Sequence, residues 1–542
     1  MPLAFLNYWS ELSHRKPRLI ETVCLSVLVL FSLYALSVIA KVPFTIHYAS
    51  TDYYAVANNY LSANPPVYDD NTARLRTLGY PLFLYFVSFG SLSLPLIAIF
   101  QLSFGFLAPL VTYFALRRAS VSAPATLILV LPVVITLVLQ ISSRTILNEH
   151  LYALSLFGLF VASAMLMVMR KKYLIGLILV FWVIACLTRS TALPLLIAIT
   201  FLYPFDRWSQ RFKWTGVACV LVALLAVFQS ALTKAVIPGS TSGMGIFSMM
   251  NPIVVSREKD DWAIKRSDGP ATARMIDIVS EFEASERGQK NIERQRNKMK
   301  VSQDFFENTL CKKDPGTVPS CFLETPTLES YWQIKWAAIR ELGMVEADKL
   351  MLDVFFEQML EKPSMYLTFW LRNTAYFLVG GNRDYAYKPA PRASLVHRNN
   401  FLMAYNKRME DRFKKSFQPD LDDVLSQMNQ GTKARNATKI NHYVSPLWRG
   451  LFYLNPLVMG FGLILTIRYL FWRKAVNIYA AFLILGFVFT FYHGAAISAL
   501  HPPLGRYVFP SLPMLLFGLS AIVIMSWHQI GGILGVLKKT SA

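Results

Sequence analysis

The residues of this sequence able to do chemistry are scattered along the chain but few in type. They are Asp52, Asp69, Asp70, Arg74, Arg76, Glu149, His150, Arg189, His501 and Arg506. Acids and bases together suit a reaction that deprotonates a hydroxyl and neutralises an anionic leaving group. A carboxylate takes the proton. An arginine holds a phosphate, bidentately where geometry allows. Asp52 is the first choice for the proton acceptor. It lies in TDYYAVANNYL, where Tyr53, Val56, Ala57, Tyr60 and Leu61 recur at helical spacing. Thr51 would cap that helix and Asp52 would sit in its favourable first turn. Plainer roles compete for each residue. Asp69 and Asp70 follow Pro65-Pro66 and read as solvated turn residues, at most helpers. Glu149 and His150 could be the polar opening of an apolar run. Arg189 could be a snorkelling anchor, and Arg506 with Tyr507 a boundary anchor.

The elements that must position these residues are hydrophobic. Of 542 residues, 54% are hydrophobic and only 16% charged. A soluble chain carries roughly a quarter charged residues. Repeated apolar stretches of about 20 residues identify a multi-span membrane protein. The net charge of +21 would suggest nucleic acid in a soluble protein. No nucleic-acid motif accompanies it, so the basic residues read as flanks of membrane spans in contact with anionic lipid.

Cys24, Cys186 and Cys219 lie in apolar runs and read as packing residues. Cys311 and Cys321 lie in a polar region with Pro315 and Pro319, where a disulfide fits if that region is extracytoplasmic. There is no CxxC pair and no zinc spacing. The first apolar run, Leu19 to Ala40, follows His14, Arg15, Lys16 and Arg18 and reads as an anchor, not a cleavable signal.

Further spans are expected over Ser93–Leu116, Ala123–Ile141 (with Pro132 inside), Leu151–Met169, two short spans within Tyr173–Tyr203 that turn at Arg189, and Trp214–Val236. Leu78–Leu92 is a juxtamembrane helix or half a span. Pro446–Ile467, Val476–Ala496 and Leu504–Trp527 close the chain. The expected fold is all-α and polytopic, with about ten transmembrane helices. Residues 1–236 form an N-terminal transmembrane domain whose first outer loop, 41–77, carries the acid. Residues 237–445 form a mostly helical extracytoplasmic domain, and 446–542 the last three spans. Within the middle domain, Glu281–Lys300 reads as a solvated helix and Leu328–Leu360 has helical periodicity. Pro363 suits the first turn of another helix. Ser364–Val379 is apolar but contains Arg372 and Asn373, and reads as interfacial more than spanning.

With this count, the basic clusters at 15–18, 117–118, 170–172, 207–213, 473–474 and 538–539 share one side, the positive-inside pattern. Asp52, Glu149, Arg189, the middle domain and HPPLGRY fall on the other. The basic stretch from Arg383 to Lys439 would also lie outside, which long translocated loops tolerate.

Several short pieces, in order, resemble the GT-C superfamily of integral-membrane glycosyltransferases. The similarity is to its protein-mannosyltransferase and aminoarabinose-transferase-like branch. The pieces are TDYYAVANNYL, RLRTLGYPLF, SRTILNEHLYAL, LTRSTALPLL, EKPSMYLTFWLRNTAYF and GRYVFPSLPMLL. The resemblance implies that an acidic residue in the first outer loop, here Asp52, activates the acceptor. It implies a second acidic position at the outer start of a span, here Glu149. It also implies a polyprenyl-phosphate sugar donor, with a glycan, lipid or protein as acceptor. Candidate substrate- and phosphate-binding residues are then Arg74, Tyr80, His150, Arg189, His501, Arg506 and Tyr507. Family members often carry an acidic pair where this chain has Asp52 followed by Tyr53. No cofactor is required by these motifs, although Asp52, Asp69, Asp70 and Glu149 could converge as oxygen ligands on a divalent metal. The expected location is a bacterial inner membrane, with the site facing outward. Two other classes compete: a secondary transporter or lipid-linked saccharide flippase, and an O-antigen polymerase or ligase. The first predicts inverted repeats, which the sequence lacks. HPPLGRY is the feature that favours the second.

Overall fold

The computed structural model describes residues 17–40, 53, 56–57, 77–138, 148–203, 208–233, 257–258, 261–262, 265–286, 288–289, 326–379, 454–472, 476–500 and 509–540. Asp52, Asp69, Asp70, Arg74, Arg76, His501, Arg506, Tyr507, Cys311 and Cys321 lie outside them, as does the whole stretch 380–453.

Among the described residues the structure is almost all helical. Helix α1 is Pro17–Ala40 and α2 is Gly79–Val87; α3 is Leu94–Arg118 and α4 is Ala123–Val133. A π-helical turn, Val134–Val138, continues α4. Pro132 explains that turn: it lacks an N–H and crowds the preceding carbonyls. Thr136 Oγ1 donates to the carbonyls of Pro132 and Val133, at 2.9 and 3.1 Å. Helix α5 is Asn148–Met169 and α6 is Tyr173–Thr188. A 3-10 turn, Ser190–Ala192, leads to α7, Leu195–Leu202, and then to α8, Trp208–Thr233.

The polar middle of the chain contributes a two-residue antiparallel pair, β1 (Arg257–Glu258) with β2 (Asp261–Trp262). Three helices follow: α9, Pro270–Ala284; α10, Pro326–Glu361; and α11, Pro363–Val379. Helix α10 kinks at Gly343, whose φ of +74° favours glycine. The chain closes with α12, Asn455–Trp472; α13, Ile478–Leu500; and α14, Leu512–Thr540.

Five of these helices hold segments long and apolar enough to cross a membrane: Pro17–Ala40, Pro95–Arg118, Asn148–Met169, Trp208–Phe228 and Ile478–Ser498. Shorter apolar helices cover Ala123–Leu137, Tyr173–Thr188, Ser190–Leu202, Asn455–Phe471 and Leu512–Trp527. The molecule therefore reads as a helical membrane protein.

Helix α5 is the axis of the bundle, buried along most of its length. It packs on α6 through Gly158, where an added Cβ would lie 2.6 Å from the Phe181 ring. It packs on α13 and α14 through Phe157 and Phe160, which meet Phe482 and Phe517 at centroid distances of 5.5–5.8 Å. Such edge and tilted contacts add to area burial. At one end, Arg117 of α3 grips Glu21 of α1 with two bonds, 3.1 and 3.3 Å.

The middle helices form a second, smaller core. Met275, Ile276 and Val279 of α9 pack on Leu350, Met351 and Val354 of α10. Glu357 of α10 caps the start of α9. Its carboxylate accepts from the Ala271 and Thr272 amides at 2.9 and 2.7 Å. Those are amides that a helix start leaves without intrahelical partners.

Candidate functional site

The site is built where three helix ends meet. Helix α5 begins one turn earlier than the apolar pattern suggests, so Asn148, Glu149 and His150 form its first turn and are buried. The reason is tertiary: each finds a partner on another segment of the chain, which makes the polar start affordable in helical form. Glu149 also gains from the positive end of the helix dipole.

Helix α6 ends at Thr188, whose carbonyl has no intrahelical partner of its own. Two side chains supply it: Thr77 Oγ1 at 2.7 Å and Asn148 Nδ2 at 3.1 Å. Gly79, the first residue of α2, lies so close to this end that a Cβ would sit 2.6–2.8 Å from the backbone of Leu187 and Thr188. Only glycine allows that approach.

Arg189 then adopts an extended conformation, φ −150° and ψ 124°, which stops α6 and turns the side chain toward α5. Its Nη2 donates to Glu149 Oε1 at 2.8 Å and to Asn148 Oδ1 at 3.4 Å. Its guanidinium carbon stands 5.4 Å from the Tyr152 ring centroid, a cation–π contact. The 190–192 turn is pinned by aromatic donors. Tyr152 Oη and Thr191 Oγ1 are 3.2 Å apart, Tyr492 Oη donates to the Thr191 carbonyl, and Trp182 Nε1 donates to Ala192 and Leu193.

Glu149 is 4% exposed and His150 1%. The second carboxylate oxygen of Glu149, Oε2, is buried with no hydrogen-bond partner among the described residues. Buried polar atoms are nearly always satisfied, so an orphan calls for an explanation. His150 points away from the ion pair. Its Nε2 lies 3.1 Å from the Gln101 carbonyl, an acceptor, so the proton sits on Nε2. Its Nδ1 is buried and has no hydrogen-bond partner among the described residues. The Gln101 side chain in turn faces the Tyr80 hydroxyl at 3.5 Å. Tyr80 is fully buried and meets Tyr53 edge-on at 5.1 Å. Tyr53, Val56 and Ala57 are helical and buried, which matches the amphipathic face read after Asp52. Tyr53 is the chain neighbour of Asp52.

The structure thus brings Glu149 and Arg189 into direct contact and puts Tyr80 and His150 on a common partner, Gln101. Asp52, Arg74, His501, Arg506 and Tyr507 are outside the described residues. Among the described residues, no group of three or more His, Cys, Asp or Glu forms a set able to hold a metal.

Several participants escaped the sequence reading. Asn148, Gln101, Tyr152 and Thr191 carry no signal beyond being polar or aromatic in apolar surroundings. His493 does carry one: it is the ionisable residue inside the apolar run of α13, and such residues are costly at membrane depth. It is 2% exposed, and its ring centroid lies 5.8 Å from both Tyr152 and Phe377.

No protein-family model, no curated protein and no solved structure matches this chain. The fold and the site define a helical membrane protein with a buried polar cluster at one end of its bundle.

Proposed function

We propose that this protein is an inverting membrane glycosyltransferase that moves a sugar from a polyprenyl-phosphate donor to an acceptor hydroxyl. In this reading Asp52 takes the proton of the acceptor hydroxyl. The acceptor oxygen forms a bond to the anomeric carbon as the bond from that carbon to the lipid phosphate breaks. The phosphate leaves as an anion neutralised by arginine, with Arg189, Arg506 and Arg74 the candidates. The ten apolar helices all span, and the site faces outward from a bacterial inner membrane. The 237–445 region selects the acceptor.

The observation that carries the proposal is the buried Glu149 carboxylate. One oxygen is held by Arg189, and the other is without a hydrogen-bond partner among the described residues. A carboxylate desolvated at a membrane-helix end is costly, and such groups mark functional cavities. An ion pair there is weak support for stability as its purpose. A buried acceptor oxygen with no partner among the described residues fits a ligand that donates hydrogen bonds, as sugar hydroxyls do. The resemblance in ordered short motifs supports the same class. Tyr53, the chain neighbour of Asp52, joins the contacts among Tyr80, Gln101 and His150 at this end of the bundle.

The test is Asp52→Asn in purified, membrane-reconstituted protein given radiolabelled polyprenyl-phosphate sugars. General-base removal lowers transfer by about 10²–10⁴-fold. Expression and insertion should be unchanged, and normal turnover in the variant would sink the assignment.

A further inference from the structure

Helix α11 touches the bundle in an unusual way. Trp370 Nε1 donates to the Ala495 carbonyl at 2.9 Å. Phe377 stacks edge-on against His493 at 5.8 Å, and a Cβ on Gly494 would lie 2.6 Å from the Phe377 ring. Trp370 and Phe377 are separated by ~10.5 Å along α11, at 1.5 Å per residue. Their partners His493, Gly494 and Ala495 occupy only ~3 Å along α13. Two helices running side by side would share equal lengths of contact. Here the contacts spread further along α11 than along α13, so the two helices cross at an angle. The crossing lies below the end of α13 at Leu500, at a depth of ~7.5 Å from Ala495. The end of α11 reaches α12 as well, where Asn455 Nδ2 donates to the Leu378 carbonyl. Asn455 opens α12, so both anchors are at the Glu149 end of the bundle.

The faces of α11 are sorted accordingly. Trp370, Thr374 and Phe377 form the stripe turned to the bundle. Tyr366 lies to one side of that stripe on a 3.6-residue helix. It packs on Phe355 of the smaller core, with centroids 4.9 Å apart. Leu367, Leu371 and Ala375 lie to the other side, and all three are exposed. For a helix lying across α13, with the α9–α10 core on one side, the opposite side is directed toward the middle of the bilayer. Two more exposed apolar side chains, Phe356 and Leu360, precede the corner at Lys362–Pro363.

We propose that α11 is not a span but an in-plane helix of the leaflet at the Glu149 end, whose Leu367–Leu371–Ala375 flank rests on lipid acyl chains. The occupant of that flank is lipid because the helix is fastened within the length of α13, which is long and apolar enough to cross a membrane, and touches α12, which carries the exposed apolar side chains Leu457, Phe461 and Ile464. Amphipathic helices of this kind bury their apolar side at the boundary of headgroups and acyl chains. Two consequences follow. The chain does not change sides between the α9–α10 pair and α12, so the last three helices keep the orientation that places residues 473–474 with the other basic clusters. In addition, a shift of α11 is felt at Phe377, and through His493 at Tyr152 and Arg189. This inference does not depend on the glycosyltransferase reading.

The experiment uses the full chain with its native cysteines replaced, in liposomes, with spin labels placed singly at Leu367→Cys, Leu371→Cys and Ala375→Cys. Glu281→Cys, exposed on α9, is the aqueous reference. Collisions with oxygen report lipid, and collisions with a water-soluble nickel chelate report water. The proposal expects all three flank sites to be oxygen-accessible, several-fold less nickel-accessible than position 281, and equal in depth. A steady depth change of ~12 Å from 367 to 375 would show a span and overturn it. Nickel accessibility equal to that at position 281 would show a water-facing flank and overturn it. If cysteine replacement harms folding, the unmodified chain is photolabelled from lipids carrying a diazirine high or low on the acyl chain. Labelling of Leu367 and Leu371 by the shallow probe above the deep one supports the proposal, and the reverse, or no labelling, overturns it.

Discussion

Glu149 and Arg189 meet at 2.8 Å although 40 residues separate them in the chain. Each sits at a helix end that the other helps to complete. Side-chain exposure is 5% for the glutamate and 13% for the arginine, so water screens the pair little. Removing one partner leaves a buried charge. Arg189→Met should therefore lower stability by about 3–5 kcal/mol, read as a fall in the thermal midpoint in detergent. The double variant Arg189→Met/Glu149→Gln should recover most of that loss but no transfer activity. Recovery of both would mean that the pair is structural only.

Tyr152 supports Arg189 by its ring and the 190–192 turn by its hydroxyl. Tyr152→Phe keeps the ring and loses one hydrogen bond, worth about 1 kcal/mol. Tyr152→Leu also removes the cation–π contact, with a further loss of about 0.5–2 kcal/mol. Transfer should fall more in the leucine variant. Equal effects in thermal and transfer assays would rule out a role for the ring.

Gly79 is a test of how tightly α2 is seated against α6. Gly79→Ala puts a methyl within 2.6–2.8 Å of the Leu187 and Thr188 backbone. Backbone cannot rotate aside as a side chain can, so α2 must shift, at a cost of about 1–3 kcal/mol. The Thr77 bond to Thr188 should loosen with it. Faster hydrogen exchange at the end of α6 checks this, and unchanged exchange would contradict the close approach.

The smaller core has its own pH dependence. Burial pushes the Asp268 carboxyl up, but the Lys265 amide, the Gln358 side chain and the Lys362 and Lys265 charges outweigh it and hold the group below its ordinary value of 3.8. A carboxyl depressed on folding adds stability that is whole above the unfolded pKa. That stability is lost as pH falls through the lower, folded value. Hydrogen-exchange protection of α9 should thus drop below the ordinary aspartate pKa, and Asp268→Asn should show less of that drop. An unchanged acid response in the variant would place the effect elsewhere.

Much of the architecture was legible because membrane helices announce themselves by length and hydropathy. The apolar runs at Leu19–Ala40, Ser93–Leu116 and Tyr173–Tyr203 match α1, α3 and the α6–α7 pair within a few residues. The break at Arg189 was legible too, since an arginine inside an apolar run needs a turn or a partner. The start of α5 was not. SSRTILNEH reads as a polar turn, and only the tertiary partners Thr188, Gln101 and Arg189 let Asn148, Glu149 and His150 be helical and buried. Trp208–Thr233 likewise begins before the apolar pattern, because Arg211 is buried between the Trp208 and Tyr469 rings. The direction of α11 could not be read either. Arg372 and Asn373 within its apolar pattern favoured a surface helix over a span, but how it lies against α13 shows only in the contacts of Trp370 and Phe377.

The central claim is that Glu149, with its spare oxygen, belongs to a sugar-transfer site. It is tested most directly with purified wild-type and Glu149→Gln protein in liposomes containing a radiolabelled polyprenyl-phosphate sugar and acceptor. The glutamine keeps the size of the side chain and removes its charge. The account predicts release of lipid phosphate with sugar transfer by the wild type, and a loss of about 10²-fold or more in the variant, as for a group acting on the reacting centre. Equal turnover by both proteins, or movement of the lipid-linked sugar across the membrane without turnover, would contradict it.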